Sequence, residues 1–157
     1  MSTVNVSGDG LAELIRLLGS SFPMYLADAG IWTYPGREEI KLSLSDLAGD
    51  LKNIRDRASI VMESVGSEVP RPEYPLRFTA THDLDLRFLL PRVIESLRMI
   101  ASGCERMLDG GDAGSTPPSG ASRGGELVRE ARGTALGHLE VLEQLLTRDT
   151  WPAPVAP

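Results

Sequence analysis

Residues 67–80, SEVPRPEYPLRFTA, carry prolines at 70, 72 and 75. Each proline withholds a backbone donor and bars a regular α-helix. Tyr74 and Phe78 in the same stretch are apolar enough to pack. The segment is therefore expected to be extended and pressed onto the molecule. Its 14 residues reach about 46 Å at ~3.3 Å each. A helix of roughly 24 residues is about 36 Å long. The stretch can thus climb the full height of a helical bundle, which would make the helices on either side of it parallel. Neighbours in a simple up-and-down bundle are joined by only about 2–8 residues.

Four amphipathic segments surround it, predicting helices over roughly 10–30, 44–65, 82–108 and 125–148. In the first, Leu11, Leu14, Ile15, Leu18, Phe22, Tyr25, Leu26 and Ala29 recur at three- and four-residue steps, one face of a helix. Pro23 should kink or split it, and Gly30 should stop it. In the second, Leu44, Leu47, Leu51, Ile54, Ala58, Val61 and Val65 form the stripe, with Ser43 as the expected cap and Gly66 as the close. The third carries Leu86, Leu90, Val93, Leu97, Ile100, Cys104 and Met107, with Thr79 or Thr81 expected at its cap and a bend at Pro91. The alternation in DLDLRF has no partner strand and is read as helix. The fourth carries Val128, Ala131, Ala135, Leu139, Leu142 and Leu146. Residues 109–125 are mostly glycine, serine and proline, predicting a flexible loop, and 150–157 is a proline-rich tail. The whole chain, 1–157, is read as one all-α domain: a four-helix bundle with one long crossover between helices 2 and 3, which is ferritin-like connectivity.

Composition narrows the function. A net charge of -6 argues against a nucleic-acid partner, which calls for a basic face. The longest apolar runs are far short of a membrane span. Cys104 is the single cysteine, so no intrachain disulfide forms. It falls on an apolar stripe and is expected to be a buried thiol. The opening MSTVNVSGDG lacks the basic and apolar regions of a secretory signal. A cytoplasmic location is the resulting expectation.

FTATHDLDLRFLLPRVIESL at 78–97 and ALGHLEVLEQLL at 135–146 resemble segments of an uncharacterised bacterial family with a ferritin-like four-helix-bundle fold. The resemblance implies a fold and carries over no catalytic residue.

Di-iron proteins of that architecture take a Glu-x-x-His pair from each of two helices, because that spacing turns both ligands inward together. Here Thr79 precedes His82 by three residues and Ala135 precedes His138, so the pair is missing. A weaker site is conceivable at one end of the bundle. The crossover topology would gather Asp28, Asp46, Asp50, His82, Asp83 and Asp85 near Trp32 and Trp151. Oxygen ligands with one imidazole suit a divalent metal ion. Asp28, Asp50, His82 and Asp85 are the candidate ligands. His138 is expected to be hydrogen-bonded and structural, facing roughly Glu95. A phosphorelay role is set aside because Glu140 follows where a lysine would be wanted. The preferred expectation is a non-enzymatic bundle, with no cofactor, that binds a protein partner or forms a homo-oligomer. The alternative is a metal-binding or oxidase-type relative.

Overall fold

The computed structural model describes residues 8–110 and 119–148. Among the described residues every regular element is helical: α1 (Gly8–Gly19), α2 (Phe22–Ala29), α3 (Glu38–Ser64), α4 (Leu86–Asp109) and α5 (Ser119–Arg148), with 3-10 turns at Ile31–Thr33 and Leu76–Thr81. Among the described residues no helix is long and apolar enough to cross a membrane.

The first predicted helix is split, as Pro23 demands. Ser20 and Ser21 interrupt it, and their hydroxyls donate to the Arg16 and Leu18 carbonyls at the end of α1. Pro23 then sits in the first turn of α2, where its missing N–H would have had no intrahelical partner anyway. Gly30 ends α2 with φ 97°, and its N–H reaches the carbonyls of Leu26 and Ala27. Glycine reaches that left-handed conformation without penalty.

The second predicted helix starts earlier than its apolar stripe suggests. α3 begins at Glu38, two acids occupy its first turn, and Ile40 is buried. Ser43 lies inside the helix, not at its cap; the N-cap residue is Arg37, with no side-chain cap bond. Acids near the positive end of the helix dipole supply part of what a cap would. At the other end Gly66, with φ 73°, donates to the Glu63 carbonyl, and Ser67 donates to Met62. That is the Schellman arrangement, and it closes α3 where Gly66 was expected to.

The cap of α4 is Asp85, whose carboxylate accepts from the Arg87 N–H at 2.9 Å. Thr79 and Thr81 instead donate to the Leu76 and Phe78 carbonyls inside the 3-10 turn. The predicted start at 82 is therefore four residues early. α4 runs unbroken through Pro91. Its Leu86 N–H donates to the Pro35 carbonyl at 2.9 Å, so α4 starts beside the segment that leads into α3.

α5 packs against both α3 and α4, and four polar side-chain pairs give its direction. Arg57 forks onto Glu130 at 2.6 and 2.8 Å, while Asp50 meets His138 at 2.7 Å. Arg98 meets Glu143 at 2.7 Å and Glu105 meets Arg132 at 3.1 Å. In both sets the α5 number falls as its partner's rises, so α5 is antiparallel to α3 and to α4. Such exposed pairs stabilise by only about 0–1 kcal/mol each. Their value here is register. α5 already begins at Ser119, so residues 119–125, expected in a flexible loop, are helical. Asp109 of that loop is the last residue of α4, and residues 111–118 and the tail 150–157 lie outside the described residues.

The predicted stripes form the core. Leu14, Leu18, Leu26, Leu47, Leu51, Leu90, Val93, Leu97, Cys104, Val128 and Ala135 are all buried. Each fully buried aliphatic side chain of this size is worth roughly 1.5–3 kcal/mol. Val65, the last residue of the second stripe, is exposed because α3 has already ended.

Candidate functional site

The segment after α3 passes over the break between α1 and α2 and fills it with aromatic rings. Pro72 lies against Gly19, where any Cβ would collide with the proline ring. Tyr74 sets its edge on Tyr25 at 5.3 Å, and its hydroxyl donates to the Asp28 carboxylate. Phe78 packs on Phe22 at 4.9 Å and on Tyr25 at 5.4 Å. Tilted and edge-on pairs at such distances add about 0.5–1.5 kcal/mol each beyond area burial.

His82 closes this cluster. Its Nε2 is 2.8 Å from the Tyr25 hydroxyl, and its Nδ1 is 3.5 Å from that of Tyr34. The imidazole lies nearly parallel to the Tyr34 ring and edge-on to Tyr25. The Thr81 hydroxyl donates to the Phe78 carbonyl, and it stands 3.5 Å from the Tyr34 hydroxyl. One assignment of protons satisfies the whole chain: Tyr25 donates to Nε2, Nδ1–H donates to Tyr34, and Tyr34 donates to Thr81. The imidazole in that scheme is neutral. Loss of hydration, then the neighbouring Tyr34, push the Tyr25 phenol above its usual range. Burial and the bond to Asp28 push Tyr74 up as well. Both phenols thus remain protonated hydrogen-bond donors at neutral pH.

Beside this cluster lies an open groove of about 540 Å³. The α1–α2 junction supplies Leu17 and Phe22, the crossing segment supplies Pro75 and Phe78, and α4 supplies Ser96 and Met99. Arg77, Arg92 and Glu95 bring charge to it. The Ser96 hydroxyl accepts from the Phe22 N–H at 3.4 Å, tying α2 to α4 across the floor.

The four candidate metal ligands are not brought together. Asp28 is held by Tyr74, Asp50 by His138, His82 by two tyrosines, and Asp85 caps α4. Among the described residues no group of three or more His, Cys, Asp or Glu side chains could hold a metal ion. Trp151 lies outside the described residues. His138 is hydrogen-bonded as expected, but to Asp50 on α3 and not to Glu95. The α3–α5 pairing, which the sequence did not reveal, decides its partner. Cys104 is fully buried, and loss of hydration pushes its thiol up to about 12, which leaves it a poor nucleophile.

The aromatic cluster was not anticipated as a unit. Its signal was the paired spacing of Phe22 with Tyr25 and of Tyr74 with Phe78, one pair on each side of the contact. Comparison with protein-family models, with curated proteins and with solved structures finds no match to this chain.

Proposed function

We propose that the chain is a non-enzymatic helical bundle that works by self-association, on a frame of ferritin-like connectivity. What supports the frame is direction. α3 and α4 both run antiparallel to α5, and the first N–H of α4 meets Pro35, just ahead of α3. Residues 65–85 must then return along the length of α3, about 40 Å for its 27 residues. The family kinship suggested by residues 78–97 and 135–146 is part of the same proposal.

One observation carries the functional reading. Met99, exposed to 59%, lines the groove together with the apolar Leu17, Phe22, Pro75 and Phe78. Scattered exposed hydrophobes need no explanation, but an exposed methionine on an apolar-walled concave surface supports a contact site. The polar groups nearby argue against chemistry: His82 is held between two tyrosines, and the Cys104 thiol is sealed in the core.

Light scattering at about 100 μM protein should return a dimer-scale mass, a concentration at which micromolar association is populated. A monomer mass there refutes self-association. Turnover in a redox or hydrolase screen refutes the non-enzymatic part.

A further inference from the structure

We infer that a second copy of this chain docks on α4 by laying its own α4 antiparallel along it, the two-fold axis passing between Arg92 and Glu95. This rests on the self-association reading and supplies its interface.

Phe88, Arg92, Glu95 and Met99 are spaced four, three and four residues apart. At about 100° per residue they fall within an arc of about 60°, a single stripe roughly 16 Å long. All four are exposed. Arg98 and Glu105, the α4 residues that pair with α5, lie roughly 100° round the helix from the stripe. The stripe is thus left open by the chain's own fold.

Its order is apolar, cation, anion, apolar. Read backwards, the order is the same with the charges exchanged. An antiparallel copy therefore sets Phe88 opposite Met99 and Arg92 opposite Glu95, and does so twice. A two-fold interface requires this self-complementarity, residue i meeting j and j meeting i. An unrelated partner helix would impose no such symmetry on the stripe. Within one chain Arg92 and Glu95 stand three residues apart, close enough to pair. Yet among the described residues neither forms an ion pair.

The surroundings agree. Arg92, Glu95 and Met99 form one wall of the groove, and Pro75 and Phe78 stand across from them. Met99 against a phenylalanine ring is a favourable sulfur–aromatic contact.

The test is sedimentation velocity across a concentration series at near-physiological salt, on the wild type and three variants. Arg92→Glu places four carboxylates around the axis and should weaken dimerisation at least about tenfold, since like charges facing across an interface are strongly unfavourable. Glu95→Arg should do the same with four guanidiniums. The double exchange, Arg92→Glu with Glu95→Arg, restores both pairs and should return the dissociation constant to within about threefold of wild type. Salt near 1 M, where the screening length is about 3 Å, should recover much of each single variant's loss. Both positions are exposed, so the helical circular-dichroism melt serves as a check that lost dimer is not lost fold. A dimer indifferent to both single exchanges overturns this interface and leaves self-association standing. Failure of the double exchange to restore association overturns the register. A wild type that stays monomeric throughout overturns this inference together with the reading beneath it.

Discussion

Replacing Gly19 by alanine sets two physical effects against each other, and the structure decides the sign. Gly19 is the last residue of α1. Helix propensity alone says that alanine there is stabilising, by up to about 0.5–1 kcal/mol. The structure says otherwise. A Cβ at Gly19 would overlap the Pro72 ring, and a ring cannot rotate away as the end of a long side chain can. The segment carrying Pro72 would have to lift, loosening the neighbouring Tyr74 and Phe78 rings from Tyr25 and Phe22. Overpacking of this kind costs about 1–3 kcal/mol, more than the propensity gain, so Gly19→Ala should destabilise by roughly 1–2 kcal/mol. Controls lie in the same chain. Gly49, Gly133 and Gly137 are helical, and a Cβ there meets nothing within 4 Å. Alanine at each should stabilise by about 0.5–1 kcal/mol. Gly103 is intermediate, since its Cβ would press on the end of the half-buried Leu17 side chain, which can turn toward the groove. Urea unfolding followed by circular dichroism resolves these differences, and melting points should move about 2–4 °C per kcal/mol in a chain of this size. A Gly19→Ala protein as stable as wild type would mean that Pro72 does not lie on α1. The path assigned to residues 65–85 would then be wrong.

Asp85→Ala removes the side-chain cap of α4 and should cost about 0.5–2 kcal/mol in the same urea assay, whereas Ser43→Ala, mid-helix in α3, should stay within about 0.5 kcal/mol of wild type. Stability should fall with rising pH from about 9, where an unfolded-state thiol begins to lose its proton while buried Cys104 keeps its own to about 12. The folded state then binds the extra proton, so the slope is about −1.4 kcal/mol per pH unit above 9, and it should steepen past 10 as the raised phenols of Tyr25 and Tyr74 join in. Unfolding free energies that stay flat from pH 9 to 11 would contradict that burial. Elemental analysis of protein purified without chelator should find no stoichiometric iron, manganese or zinc, because Asp28, Asp50, His82 and Asp85 are each held by different groups; one bound metal per chain would require those pairings to break.

The helices and their buried faces were legible because apolar periodicity is local information. Leu47, Leu51 and Ile54 announce a stripe without knowledge of what covers it, and all three are buried. Gly30, Gly66 and Pro23 were legible for a similar reason, since backbone constraint belongs to the residue itself. What failed was the choice between competing caps. At the start of α4, Thr79, Thr81 and Asp85 all have suitable side chains. The choice fell on Asp85 because Leu86 is anchored to Pro35, a contact about fifty positions away. The candidate metal site failed in the same way. Placing several acids near one end of a molecule says nothing about which of them a tyrosine or histidine from another element will claim first.

His82 shows how such long-range claims constrain function. Its immediate sequence, THDLD, holds a histidine between hydroxyl and carboxyl groups, as an active site often does. The carboxyls turn elsewhere: Asp85 caps a helix, and the imidazole is taken up by Tyr25 and Tyr34 from the chain's first third. Both ring nitrogens then serve to hold the crossing segment onto α2 and the turn after it. A general base needs one nitrogen free to reach a substrate proton. Here each nitrogen faces a phenol oxygen, and loss of hydration pushes the closer phenol above its usual range. The groove next to it shares Phe22 and Phe78 with the cluster, so the cluster sets the shape of that wall. With His82 held in this way, the groove itself offers apolar walls at Phe22, Phe78 and Met99 and the charges of Arg92 and Glu95, the features on which the proposed self-association rests.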